Sequence, residues 1–200
     1  DNHPVQQANA QPGDLIFVDQ NGDGVINFSD DSDKTDLGSP IPDFIMGLSL
    51  NAKYKSFDFS SNIYAALGQE IIRNYERNQP YANQLDYVID RWTGPESTNI
   101  HPRVTSGPTN NTVFSSYYVE DGSFVRLRNI QVGYTFPSNM MKKIKVESLR
   151  IYLAVNNLVT YTRYQGFDPD VGSGGVLSAG VDYGIYPQAR TFMGGIQLKF

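Results

Sequence analysis

Residues 44–67 read FIMGLSLNAKYKSFDFSSNIYAAL, and this stretch decides the fold. Apolar and polar residues alternate through residues 44–55, and the alternation resumes through residues 57–67. A period of two is typical of a β-strand that has one apolar and one polar face. Because the two runs follow each other almost directly, the stretch predicts a β-hairpin with a tight connection near Lys55 and Ser56.

Three further runs alternate in the same way, which brings the predicted total to five strands. The connections are short at 55–57, moderate at 137–148, and long at 68–121 and 163–189. Alternate connections of an antiparallel meander lie at the same end of the sheet, so the two long loops share one rim. Short turns on one rim and long loops on the other are typical of outer-membrane β-barrels, whose strands need about 10 residues to cross. The predicted strands cover about 44–55, 57–67, 123–136, 149–162 and 190–200.

Five strands cannot close a membrane barrel, since the smallest such barrels have about eight. If the sheet belongs to a barrel, the chain is one arc of it, and the other strands come from an upstream part of the same polypeptide. A soluble β-sandwich with a polar outer face gives the same alternation. The pattern therefore predicts an all-β fold and leaves both architectures open.

Composition excludes several other classes of protein. The 200 residues include 18 Gly, 13 Tyr and 11 Phe, a mixture that disfavours a helical bundle. Without Cys there is no disulfide or Cys-ligated zinc, and only two His, His3 and His101, are present. No nucleophile elbow, phosphate loop or dinucleotide fingerprint occurs, so an enzyme is not expected. No basic stripe indicates nucleic acid. Because the chain starts at Asp1 rather than Met, we expect a processed or partial product.

Residues 1–43 are predicted to form an irregular, acidic loop, because they hold nine Asp and only one Lys. Within them, residues 19–30 read DQNGDGVINFSD, which fits an EF-hand-type calcium loop. The pattern predicts a structural Ca²⁺ site. Asn-Gly and Asp-Gly also form Asx-turns without any metal, which is the alternative interpretation. The predicted ligands are the side chains of Asp19, Asn21, Asp23 and Asp30 and the backbone carbonyl of Val25.

Two further features are candidate functional sites. Tyr81, Tyr87 and Trp92 lie near arginines in the first long loop, and aromatic platforms with polar neighbours suit the capture of sugars or peptides. The alternative is a loop that uses these side chains to anchor itself. Phe200 ends an alternating strand, which resembles the signal read by the outer-membrane barrel assembly machinery.

Seven blocks of the chain, in order, resemble the C-terminal part of SusC/RagA-type TonB-linked outer-membrane transporters. They cover nearly the whole chain, and together they favour the barrel over the sandwich. Ala189 departs from the family, which often has Pro there. The blocks are residues 13–26, 37–44, 118–130, 132–134, 156–158, 164–170 and 186–192.

The resemblance implies a large antiparallel barrel of about 22 strands that is filled by a plug and lies in the cell outer membrane. It also implies that the long loops, the acidic loop 1–43 among them, are extracellular. It implies import of oligosaccharides or peptides, driven by the TonB complex through an N-terminal region absent from this sequence. Expected partners are the plug and upstream strands of the same transporter, a SusD-type surface lipoprotein, and outer-membrane lipid. One rival is a soluble calcium-stabilised β-sandwich that acts as a carbohydrate-binding module. Another is a passive porin without energy coupling.

Overall fold

The computed structural model describes residues 6, 9–76, 83, 85–107, 109–171 and 178–200. The chain divides into two compact units. Unit 1 contains the described residues up to Leu37 together with Arg73–Val119, and unit 2 contains Gly38–Ile72 and Glu120–Phe200.

Strands dominate the regular structure, and the only α-helix among the described residues is a single turn. The strands are β1 (Phe44–Tyr54), β2 (Phe57–Leu67), β3 (Glu70–Arg73), β4 (Val119–Asp121), β5 (Phe124–Thr135), β6 (Ser148–Thr162), β7 (Val181–Asp182) and β8 (Thr191–Lys199). The helix α1 covers Ser138–Met141, and 3₁₀ turns cover Asp86–Asp90, Asn110–Thr112, Ser116–Tyr118 and Lys142–Ile144.

Five long strands of unit 2 form one antiparallel sheet in the order β1-β2-β5-β6-β8. Each neighbour in this sheet is also the next long strand in sequence, so the sheet is the expected meander. The pairing shifts between Asn62 and Ile63 on β2 and between Leu127 and Asn129 on β5, which marks bulges. The five-stranded antiparallel sheet predicted from the alternation is confirmed.

One face of this sheet is apolar and exposed. Leu50 on β1 is 45% exposed, Leu153 on β6 is 68% exposed and Phe192 on β8 is 71% exposed. Register places Leu50 beside Ser61 on β2, and Leu153 beside Val132 and Gly194. Large apolar side chains on this face are thus exposed from one edge of the sheet to the other, whereas a soluble sandwich would bury them. Such exposure is the arrangement expected of strands that lie against lipid.

The opposite face of the sheet is polar and carries cross-strand pairs. Arg150 of β6 donates hydrogen bonds from Nε and Nη2 to the carboxylate of Asp58 on β2, at 2.9 and 2.5 Å. Further along the face, Asn129 Nδ2 donates to Asn156 Oδ1 at 2.7 Å. Barrels of this kind have a polar interior, so we assign this face to the inside of the arc.

A second, small sheet in the order β4-β3-β7 lies within the segments predicted as long loops. Its central strand contains Ile71, which is fully buried. The backbone N–H of Glu70 donates to the carbonyl of Ser39 at 2.7 Å, and that of Ile72 donates to Gly180 at 2.8 Å. These strands have only two to four residues, too few for their alternation to be recognised in the sequence.

Candidate functional site

Unit 1 is organised around Asp14, whose carboxylate is almost fully buried. Arg103 donates to it from Nε at 2.6 Å and from Nη2 at 3.0 Å, and Asn111 Nδ2 donates at 2.9 Å. Burial alone would raise the pKa of Asp14, but the hydrogen bonds from Arg103, Gln11 and Asn111 and the Arg103 charge lower it below its usual range. The ionised carboxylate therefore holds together two segments that are 89 residues apart.

The acidic motif at 19–30 folds as a series of side-chain-capped turns. Both carboxylate oxygens of Asp19 accept backbone hydrogen bonds, from Gly22 and from Gly24, each at 2.7 Å. Asp23 Oδ1 accepts from the backbone N–H of Val25 at 2.8 Å. The backbone is left-handed at Gly22 (φ 78°) and Gly24 (φ 84°), a conformation that glycine adopts without steric cost.

Asp30, the predicted closing ligand, has its own local partners. It accepts from Asn27 Nδ2 at 2.7 Å, and hydrogen bonds from the hydroxyl and the backbone N–H of Ser32 lower its pKa. Asp33, which the sequence did not single out, accepts from the backbone N–H groups of Gln20 and Asn27 at 3.1 and 2.7 Å. Asp33 thus ties the two ends of the loop together.

The residue types of the 19–30 motif suit calcium better than their positions in the structure do. Asp19, Asn21 and Asp23 supply the hard oxygen ligands that Ca²⁺ prefers, at the EF-hand spacing. Among the described residues, however, no group of three or more His, Asp or Glu is placed to hold a metal ion. The 19–30 loop therefore has the geometry of the Asx-turn alternative, and the calcium site stays a prediction.

Half-buried aromatic side chains surround an ion pair elsewhere in unit 1. Arg73 Nε lies 2.5 Å from Glu76 Oε1, and both side chains are largely buried. The Arg73 guanidinium lies over the rings of Tyr87 (5.3 Å), Tyr117 (5.1 Å) and Tyr118 (5.8 Å). Burial and the charge of Glu76 raise the pKa of Tyr118 to about 12, and burial also raises the pKa of Tyr87. These phenols therefore stay protonated at neutral pH.

Of the three predicted binding aromatics, the structure describes Tyr87 and Trp92. Tyr81 lies outside the described residues. The ring of Tyr87 packs against His101 at 4.7 Å between centroids, and the ring of Trp92 lies against Gly13. Tyr87 and Trp92 thus have the internal contacts of a loop that anchors itself, and their role in binding stays a prediction.

Unit 1 also encloses a cavity of about 480 Å³ between residues 15–37 and 113–117. Most of its wall is apolar, and the rings of Phe17 and Phe28 meet edge to face at 5.0 Å. Ser115 contributes a buried hydroxyl that has no hydrogen-bond partner among the residues the structure describes. Sequence reasoning missed this cavity, because its two walls lie about 80 residues apart in the chain.

In unit 2, a buried arginine ties β5 to the long loop after β6. Arg126 Nη2 pairs with the Asp168 carboxylate, and Arg126 Nε donates to Thr160 Oγ1 at 2.8 Å. Burial raises the pKa of Asp168, but backbone hydrogen bonds from Gln188 and Asp170 and the pairing with Arg126 bring it below the usual range. Tyr164 donates to Asp182 Oδ2 at 2.6 Å in the same loop. The long loop is thus fixed to the sheet by charged side chains.

Phe200 follows β8 and is strongly exposed, and its role as an assembly signal stays a prediction. Within the described ranges, no helix is both long enough and apolar enough to cross a membrane.

Similar proteins are found both by sequence and by structure. The chain is 34% identical to TonB-dependent receptor P3 of Formosa agariphila, covering 96% of this chain and 19% of the receptor. It is 31% identical to TonB-dependent receptor SusC of Bacteroides thetaiotaomicron, covering 98% of this chain and 18% of SusC. The chain thus spans about a fifth of the length of these relatives. No protein-family profile matches it.

Solved structures of the RagAB peptide importer are also similar. The 'open-open' state aligns with a TM-score of 0.72 and 26% identity, covering 100% of this chain and 21% of the other. A second RagAB peptide transporter structure aligns with a TM-score of 0.66 and 27% identity, over 82% of this chain and 18% of the other.

Proposed function

Since the chain belongs to the TonB-dependent receptors of the SusC/RagA type, we propose that it supplies five barrel strands and their loops to an energy-coupled importer in the outer membrane. The chain itself catalyses no reaction. Its strands complete the barrel wall, and its loops meet cargo and partner.

The observation that carries this proposal is the exposed apolar face of the five-stranded sheet. Side chains such as Leu153 and Phe192 project from it without cover. Water would make such a surface unfavourable, at about 25 cal/mol for each Å² of apolar area. Lipid removes that cost, and the polar pairs on the opposite face suit the interior of a barrel.

The proposed partner at the loop rim is a SusD-type lipoprotein, and the proposed cargo is an oligosaccharide or a peptide. RagAB is described as a peptide importer and SusC as a TonB-dependent receptor, which supports import by a two-protein system. The plug, the upstream strands and the contact with the TonB complex belong to the rest of the transporter.

Gel mobility of the outer-membrane fraction, with and without boiling, tests this proposal. An antibody against β8 follows the full-length protein. We expect enrichment in the outer membrane and a mobility shift on boiling, because closed barrels resist detergent until heated. A soluble 22.3 kDa species without a mobility shift on boiling would refute the transporter proposal and favour the carbohydrate-binding sandwich.

We also propose that Ca²⁺ binds the 19–30 loop and stabilises it. The spacing of Asp19, Asn21 and Asp23 supports this proposal. In addition, each carboxylate oxygen that accepts a backbone hydrogen bond keeps a second lone pair with which it can bind the metal. A metal that binds only the folded loop would add its binding free energy to the stability of that loop.

Limited proteolysis of the full-length transporter, with Ca²⁺ and with a chelator, tests the calcium site. Chelation should increase cleavage within residues 10–40 while the heat-shifted barrel persists. Asp23→Ala should abolish the calcium effect, and Asn99→Ala serves as the matched control elsewhere in unit 1. Identical cleavage with and without chelator in the unaltered protein would favour the metal-free Asx-turns.

A further inference from the structure

We infer that the cavity of unit 1 binds the apolar side chain of a short cargo peptide whose neighbouring residues are basic. This inference rests on the proposed function, because it names the cargo class that one part of the importer recognises. It concerns only unit 1, whose residues form every wall of the cavity.

The size and lining of the cavity indicate an apolar guest. Its volume of about 480 Å³ lies within the usual range of small-ligand sites, about 300–1,000 Å³. Its wall includes Leu15, Phe17, Ile26 and Phe28, and Phe114 at the surface is 56% exposed. An aromatic or branched aliphatic side chain would bury its surface against these residues.

The wall of the cavity is mostly apolar in area, which suits an apolar side chain better than an oligosaccharide. A sugar ring carries several hydroxyls, each of which needs a partner when it leaves water. The wall also carries polar side chains, but those of Asn27 and Asp33 already form hydrogen bonds within the loop. The hydroxyl of Ser115 is buried and has no partner among the described residues. One hydroxyl can pair with a single peptide N–H or C=O beside an apolar side chain.

Charge around the cavity favours basic residues next to that side chain. Residues 9–37 hold seven Asp and one Lys. Arg103 neutralises Asp14, and Lys34 pairs with Asp31 at 2.7 Å. Asp33 and Lys34 both line the cavity, but the charge of Lys34 is offset by Asp31, so a positively charged residue of the peptide would meet a net acidic segment.

Calorimetry on the purified full-length transporter in detergent, with Ca²⁺ present, tests this inference. The probes are the blocked tripeptides Lys-Phe-Lys, Lys-Ser-Lys and Glu-Phe-Glu, together with maltoheptaose. We expect Lys-Phe-Lys to bind about tenfold or more tightly than Lys-Ser-Lys, because burial of an aromatic side chain contributes that much. Glu-Phe-Glu should bind more weakly than Lys-Phe-Lys, and added salt should narrow this difference.

A cavity-filling variant locates the site. Ser116 lines the cavity with an exposed side chain, so Ser116→Trp should fill the space and reduce Lys-Phe-Lys affinity at least tenfold. Asn99→Trp adds the same bulk to an exposed position of unit 1 outside the cavity and should leave affinity unchanged. If Ser116→Trp fails to fold, the comparison of the three peptides on the unaltered protein still tests the inference.

Three results would overturn the inference: equal affinity for the Phe and Ser peptides, unchanged affinity in folded Ser116→Trp, or competition of maltoheptaose for the same site. Each can occur in a protein that still passes the gel-mobility test, so failure here is distinguishable from failure of the proposed function.

Discussion

The orientation of the sheet is tested by adding a charge to each of its faces in turn. Leu50 and Asn51 are neighbours on β1, and the alternation places them on opposite faces. Leu50 lies one residue from the middle of the strand. With a rise of about 3.4 Å per residue and a tilt of about 40°, that is about 3 Å from the strand's midpoint along the membrane normal. Leu50→Arg therefore places a guanidinium near the centre of the bilayer.

We expect Leu50→Arg to lower the free energy of unfolding by about 2–4 kcal/mol, the cost of Arg at the midplane of a lipid-facing strand. That corresponds to a loss of about 30- to 900-fold in the ratio of folded to unfolded protein, at about 1.4 kcal/mol for each tenfold change. Asn51→Arg adds the same side chain to the polar face and should cost less than about 1 kcal/mol.

Urea unfolding of the full-length transporter refolded in lipid vesicles, followed by the gel mobility shift, measures both variants. Equal losses in Leu50→Arg and Asn51→Arg, or a larger loss in Asn51→Arg, would refute the assignment of the apolar face to lipid.

Three further predictions follow from individual contacts. Gly195→Ala should lose about 1–3 kcal/mol of stability in the same assay, because its Cβ would overlap the Tyr152 ring, whereas Gly194→Ala, 3.4 Å from Leu153, should be tolerated. Arg126→Met should cost about 3–5 kcal/mol by leaving Asp168 buried without its cation, and Arg126→Met/Asp168→Asn should recover part of that loss on urea unfolding. Asp14→Asn should increase proteolysis of residues 10–40 at neutral pH. Because the pKa of Asp14 is lowered from 3.8, its stabilisation is present above pH 3.8 and is lost as the pH falls further, so parent and variant should converge in strong acid.

Much of the sheet could be predicted from sequence, because β alternation is a local property. The apolar face through Leu50 and the hairpin at Lys55 follow from side-chain period and connection length alone. The predicted strand at 190–200 corresponds to β8 at Thr191–Lys199. The three short strands were not predictable, since they are defined by backbone partners such as Ser39 and Gly180 rather than by a pattern of their own.

The candidate sites also include some features that the sequence predicts and others that it does not. Spacing alone identified the 19–30 motif, because its turns use residues within five positions of each other. It did not reveal that Asp33 closes the loop. Tyr87 and Trp92 were recognisable as aromatic loop residues, but their contacts with Arg73, His101 and Gly13 depend on how distant segments meet.

The sequence by itself determined the alternating strands, the distribution of loop lengths and the acidic motif, all of which depend on neighbours within a few residues. Only the tertiary structure decided that Arg103 meets Asp14, that Arg126 meets Asp168, and that residues 15–37 and 113–117 enclose a cavity. Such contacts join segments 42 or more residues apart. Across such distances, each arginine could pair with many different carboxylates, and the folded sheet and loops determine which of them it meets.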